Sequence, residues 1–446
     1  YIIIGGGSAG CVLASRLSER PENKVLLIEA GPKDWNPVYD IPILAGSLYR
    51  LKYNNWYYKT EPEKHLNQRK IFWPRGKVLG GSSSINGMVY TVGLSSDYNT
   101  WRQLGNDGWG WDDVKSYFKK SQKYLGKDNL EFNDNGYLPV NKPVFSHPLS
   151  DAFIQSGIEA KHDFCSNFNN GKANGMGFYD FTWENGKRKS TSKTFLKKSK
   201  KRKNLRIITK CIVNKILFNG KKCTGVEVVN KKKQMYFYAN KEIILSAGTV
   251  NSPTILLKSG IGPGNELQNL GIKLINNLYG VGKNLQDHLL VRVQIASKFS
   301  DTLYKHLRWD KITLNILKAY IFKNGLGSIF PLTAGAYLKS TEDKDIPDLQ
   351  SHFLPGLSTG KIRFPWSKKD NLDQSGFFAN VYQLRPESRG KITLNSKDPF
   401  SDPKIFANYL ENENDLVCLR NGVKVIRNIF SQNSLSKFFS HEIEPG

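Results

Sequence analysis

The β-branched run Tyr1-Ile2-Ile3-Ile4 leads directly into Gly5-Gly6-Gly7-Ser8-Ala9-Gly10 and then into a helical stretch from Cys11 to Glu19. No other stretch restricts the fold so tightly. A buried strand that turns within six residues into a helix needs glycine at three places. Gly5 permits the tight turn, Gly7 lets backbone approach a pyrophosphate, and Gly10 lets helix and strand pack closely. The N-terminus of that helix then offers free N–H groups and a positive dipole end to phosphates. Lys24 to Ala30 reads as a second buried strand carrying Glu29, nineteen residues after Gly10, where an acid hydrogen-bonds the adenosine ribose hydroxyls. That acid argues against a 2′-phosphate and hence against NADP. A glycine-rich turn with no ligand is the competing reading, and the second strand and its acid weigh against it.

The chain has 446 residues, enough for two or three domains with their own cores. No apolar run approaches the length of a membrane span. Five cysteines, odd in number and widely spaced, form no CxxC pair and no cluster with zinc spacing. They read as reduced, structural thiols in a cytoplasmic setting, and no metal is expected. The formal net charge of +26 raises nucleic acid or an anionic membrane as partners. The densest run, Lys187 to Lys203, has ten Lys/Arg among seventeen residues, but one aromatic (Phe195) and no nucleic-acid motif. It reads as a solvated face. No nucleic-acid partner is expected, while a peripheral contact with the inner membrane stays open. The chain starts inside a strand at Tyr1, which reads as a start downstream of the true N-terminus, so the presence of a signal peptide stays open.

Along the chain, an aromatic stretch leads to Gly76-Lys77-Val78-Leu79-Gly80-Gly81-Ser82-Ser83-Ser84-Ile85-Asn86-Gly87-Met88-Val89-Tyr90. This segment offers many backbone donors, small residues for close approach and one amide, which suits a large polyanionic cofactor. Asp112 is a plausible N-cap for a helix through Phe118, whereas residues 130–190 show weak periodicity. Leu205–Ile208, Ile212–Phe218, Thr224–Val229, Met235–Ala239 and Glu242–Gly248 read as strands. Ser252-Pro253 reads as the start of a helix through Lys258. Beyond Val293, strands and loops are expected with one helix, Leu416 to Phe430. The fold class is α/β: a Rossmann-like domain joined to a mixed-sheet, α+β second domain.

Three features together resemble the glucose–methanol–choline (GMC) flavoprotein oxidoreductases: the dinucleotide fold, Gly76 to Asn99, and Gly248-Thr249-Val250-Asn251-Ser252-Pro253 running on to Gly260-Ile261-Gly262. Val281 to His288, Arg385 to Gly390 and Asn408-Tyr409-Leu410 resemble further segments of that family, most closely its choline-dehydrogenase-like alcohol dehydrogenases. The resemblance implies FAD rather than NAD. Gly5, Gly7, Ser8, Ala9, Gly10, Glu29 and Ala30 would hold its ADP half, and Val213 would meet the adenine through its backbone. Val78, Asn86, Gly87, Met88 and Val89 would lie along the flavin, and Gly81 and Ser82 would also contact the cofactor. Ile85 stands where some members attach FAD to a histidine, so non-covalent FAD is implied. The FAD-binding domain would span 1–292, with 130–190 contributing to the substrate side. The substrate-binding domain and an incomplete C-terminal region would span 293–446.

The family oxidises an alcohol: a histidine takes the hydroxyl proton while the carbinol hydrogen leaves as hydride to flavin N5, and a quinone or other acceptor takes the electrons. Its histidine lies in an H-P-x-G-T-like stretch. None of His65, His147, His162, His288, His306, His352 and His441 matches that stretch, so the base is expected beyond Gly446. His288 reads as orienting a loop, and His352 as lining the substrate domain or as a core histidine. An O₂-using oxidase, a hydroxynitrile-lyase-like protein and a catalytically incomplete homologue are the alternatives.

Overall fold

Two sheets organise the chain, one parallel around the glycine loop and one antiparallel beyond it. The computed structural model describes residues 1–446 except 51, 127–134, 144–145, 232, 301, 324, 329, 360–363 and 365–374; the corresponding parts of the 130–190 stretch lie outside the described residues. Strand β1 (Ile2–Ile4) lies between β2 (Val25–Ile28) and Ile243–Leu245, and Leu205–Ile208 adds on beyond β2, all parallel. A central parallel strand is covered on both faces, so it reads as an unbroken apolar run. Ile2 and Ile4 pack with Val226 and Val228, while Ile3 faces Cys11 and Ala14 of helix α1 (Ser8–Leu17). Each buried isoleucine stabilises this layer by roughly 2 kcal/mol. Ile212–Asn219, Lys222–Asn230 and Lys233–Tyr238 form an antiparallel sheet closing the Ile2 and Ile4 side.

Six antiparallel strands build the second layer, ordered Phe439–Glu444, Leu290–Ser297, Gly376–Gln383, Leu349–Leu354, Ala334–Leu338 and Gly175–Phe178. Helices Pro148–Glu159 and Glu413–Ser431 cover one face. Phe153 stacks on Phe353 at 4.5 Å between ring centroids, with Phe377 and Phe430 meeting them edge-on or tilted. Strand alternation sends Gln350 and His352 to the other face, paired in register with Tyr382 and Asn380. The chain crosses between layers: residues 148–178 join the second sheet, whereas Ile392 and Ile405 pack with Tyr58, Trp73 and Val250 beside the first.

Three helix assignments are corrected by the structure. The helix at Asp112 begins at Trp111, with Gly110 as N-cap, and it is Asp113 whose carboxylate accepts the Gly110 N–H at 3.0 Å. Pro253 lies inside helix Gly248–Lys258 rather than at its start, four residues after Thr249, whose carbonyl goes without that donor. Helices also appear where none was expected, the two longest being Pro148–Glu159 and Trp309–Phe322. The first is opened by Pro148 at its first turn and capped by His147 Nδ1, which accepts the Leu149 N–H at 3.2 Å.

The glycine loop holds the layers in place by contact. A Cβ on Gly10 would lie 1.9 Å from the Gly5 carbonyl oxygen, and one on Gly5, at φ +96°, would lie 2.6 Å from the Ser246 carbonyl. Gly10→Ala is expected to destabilise the fold by about 3 kcal/mol in urea denaturation, since backbone cannot yield as a side chain does. Gly46→Ala, with open space at its Cβ, is expected to stay within about 0.5 kcal/mol of the parent.

Candidate functional site

A cavity of about 710 Å³ opens where β1 and β2 end, at Ile4 and Ile28. The carboxyl edge of a parallel sheet is where open α/β folds bind ligands. Its walls come from Gly5, Gly7, Ser8 and Ala9, from Glu29 and Ala30, from Gly81 and Ser82, and from Val213. Ten residues of α1 aim their first turn at it. Gly7 is the N-cap and supplies no side-chain acceptor, so the first-turn N–H groups have none within the helix. Gly10 lies behind the loop rather than on the wall. Gly7 differs from Gly5 and Gly10: a Cβ there would meet only Gly81 Cα, at 3.9 Å, so packing leaves the position free. Glycine at 7 therefore keeps space in the cavity itself, which fits a close-lying pyrophosphate.

Glu29 is buried at the far wall, where its two carboxylate oxygens accept N–H groups from Gly6 at 2.8 Å and Gly31 at 2.7 Å. Burial raises its carboxyl pKa to about 7, against the pull of those donors and of Lys77. Each oxygen keeps a lone pair, so Glu29 can accept from a ribose hydroxyl whether charged or neutral. Backbone from Cys211 to Val213 borders the same wall, with Cys211 N–H bonded to the Glu29 carbonyl at 3.0 Å.

Val78, Asn86, Gly87, Met88 and Val89 are not on the cavity wall. Val78 is buried with Tyr39, Leu48 and Ile85. Met88 is buried at φ +63°, and a Cβ on Gly87 would lie 3.0 Å from the Phe330 ring. Val89 pairs with Phe181 in a short antiparallel bridge. Asn86 Oδ1 accepts from Arg188 at 2.7 Å and from Met88 N–H at 3.1 Å. Arg188 is buried and holds the Tyr39 and Ser83 carbonyls as well; burial lowers its guanidinium pKa to about 10, and its Nη2 has no partner among the described residues. Thus one cation of the basic run is an internal clamp on the second glycine-rich stretch. The wall also includes Trp56, Tyr58, Arg75, Lys77, Asn251 and Asp402, none anticipated as site residues. Arg75 and Lys77 carried a signal, two cations beside a phosphate-type loop.

No histidine lines the cavity among the described residues. His288 is exposed and bonds the Leu384 carbonyl through Nε2 at 3.0 Å, a loop-fastening contact. His352 lies on the polar face of the second sheet, 4.8 Å from Tyr179 and 5.0 Å from Tyr382 between ring centroids. Burial lowers its pKa to about 4, and its Nε2 has no partner among the described residues.

A parallel dinucleotide fold with a helix end and an acid facing one cavity, set against a large antiparallel sheet, is the architecture of a nucleotide-cofactor oxidoreductase. Family models described as GMC oxidoreductase match residues 1–290 and 386–446. The chain belongs to the GMC oxidoreductase family, whose members bind FAD. It is 40% identical to an alcohol dehydrogenase (acceptor) of Pseudomonas putida, spanning 100% of this chain and 80% of that protein. It is 38% identical to the mitochondrial choline dehydrogenase of Mus musculus, spanning 100% and 75%. The solved pyridoxine 4-oxidase of Mesorbium loti superposes with a TM-score of 0.86 at 27% identity, over 100% of this chain and 83% of that one. A formate oxidase variant of Aspergillus oryzae gives 0.90 at 26%, over 99% and 83%.

Gly7→Ala is expected to leave unfolding stability within about 0.5 kcal/mol yet cut co-purified flavin roughly tenfold, measured by absorbance after desalting. Glu29 predicts a pH effect. Its folded pKa of about 7 exceeds the usual 4.5, so the folded state holds a proton that the unfolded state releases. The flavin-free protein should therefore lose up to roughly 3 kcal/mol as pH rises from about 5 to about 8. Glu29→Gln should flatten that slope in urea denaturation.

Proposed function

We propose that the protein oxidises a primary or secondary alcohol with non-covalently held FAD and passes the electrons to a quinone or similar acceptor. The observation that carries this reading is the 40% identity to an alcohol dehydrogenase (acceptor) along the whole chain, joined to a cavity shaped for a dinucleotide. On this reading the first-turn N–H groups of α1 bind the pyrophosphate, Glu29 orients the ribose, and Val213 backbone meets the adenine. When bound, FAD supplies the hydride acceptor. Ile85 is buried and aliphatic and offers no atom for covalent attachment, which supports the non-covalent reading. Residues 1–292 would carry the cofactor and 293–446 the substrate sheet, with 148–178 and 391–406 crossing over. The alcohol proton needs a base near neutral pKa. We assign that role to no histidine of the seven: none lines the cavity, His288 is engaged with a carbonyl, and burial lowers the pKa of His352 to about 4, well below that range.

Choline is the weaker substrate candidate. The charge of +26 repels a quaternary ammonium at long range and leaves a neutral alcohol unaffected. The oxidase neighbours favour a second reading, reoxidation by O₂. For the full-length protein, a neutral primary alcohol is expected to bleach the flavin anaerobically, with kcat/KM at least about tenfold above that for choline. Recovery in air should be slow and recovery with a soluble quinone fast. Fast recovery in air would select the oxidase, and cyanohydrin cleavage without bleaching the lyase.

A further inference from the structure

Helix Trp309–Phe322 stands on the surface with apolar residues on both sides. Ile312 and Ala319 point inward and are buried. At 100° per residue, Leu314, Leu317 and Ile321 point the opposite way, into solvent. They are 51%, 52% and 65% exposed, and Phe322 is 65% exposed at the helix end. Trp309 and Tyr320 flank this ridge on one side, Lys311 and Lys318 on the other. The turn at Gly186 buttresses the far end, where a Cβ would lie 2.8 Å from the Ala319 carbonyl. From the same turn, Lys187 Nζ sits 4.0 Å from the centre of the Tyr320 ring.

Charge decides what such a ridge can meet. Asp310, the one acid of the helix, is neutralised by a two-pronged pair with Arg308 at 2.7 Å. Lys187, Lys311, Lys318 and Lys323 remain around the apolar residues. A second copy would bring the same four cations against these four, which disfavours self-association. The ridge is one face of a single helix. A helix with exposed Leu, Ile and Phe, aromatic flanks and a lysine rim suits the boundary between anionic headgroups and acyl chains. We infer that this helix docks the protein onto an anionic lipid surface, with Leu314, Leu317, Ile321 and Phe322 inserted and the four lysines over the headgroups. No helix among the described residues is long and apolar enough to cross a membrane. The inference stands on this face alone and is independent of which alcohol is oxidised.

The test is flotation of the full-length, flavin-loaded protein with vesicles of phosphatidylcholine, with and without phosphatidylglycerol. The protein should float with phosphatidylglycerol vesicles and release as salt is raised. L317E/I321E should cut partition by about tenfold or more, and K311E/K318E should abolish the preference for phosphatidylglycerol. Both variants alter side chains that are not on the cavity wall, so flavin content and turnover with a soluble acceptor should match the parent. Absence of flotation, or equal flotation of L317E/I321E, would overturn the inference. So would a parent dimer that L317E/I321E converts to monomer in sedimentation, since the ridge would then be a self-contact.

Discussion

Everything about the cofactor site depends on one close approach, the seating of Gly10 against the carbonyl of Gly5. Ser246 locks it from the third side: its hydroxyl bonds both the Ile4 and the Gly5 carbonyls at 3.0 Å. Strand, helix and the return strand at Ile243–Leu245 are thereby fixed at backbone separation. That separation aims the first turn of α1 into the cavity instead of past it. It also brings the β2 end close enough for Glu29 to take the Gly6 N–H. The anion binding proposed for this site would thus rest first on backbone placement, with Arg75 and Lys77 adding charge at the wall.

A second set of contacts ties the distant C-terminal half to this frame. Glu63, buried, accepts the N–H groups of Ala407 at 3.2 Å and Tyr409 at 3.1 Å. Tyr409 in turn accepts from the Trp73 indole at 2.9 Å and donates to Asp287. Polar groups buried this deeply are costly unless satisfied, and each of these has a partner. The network positions the segment through Asp402 that closes the cavity.

Where sequence was legible, local chemistry and tertiary structure agreed. Ile2–Ile4, Leu205–Ile208 and the three strands from Ile212 to Tyr238 could be read because β-branched runs were broken by turn residues such as Asn219-Gly220. The two longest unread helices escaped for different reasons. Pro148–Glu159 buries one face, but that face mixes Leu149, Phe153 and Ile154 with Ser150, Ser156 and Gly157, so apolar residues alone mark no clear stripe. Trp309–Phe322 is apolar on its outer side too, which erases the contrast that marks an amphipathic helix. Within the site, Gly5, Gly7 and Glu29 were readable because spacing alone brings them together. Trp56, Asn251 and Asp402 were not, since only the fold makes them neighbours. Arg188 shows the limit of reading charge: in a run of lysines nothing marks the one cation that turns inward.

The cavity wall is drawn from residues near 5–30, 56–82, 211–213, 246–258 and 399–403. No short piece of chain contains it. Its closure requires ends some four hundred residues apart to meet, among the latest and slowest contacts a chain can form. A dinucleotide that binds only the closed arrangement stabilises it by mass action. Cofactor supply then becomes part of how this chain matures: molecules that reach the finished topology are held there, and those that stop short gain nothing from it.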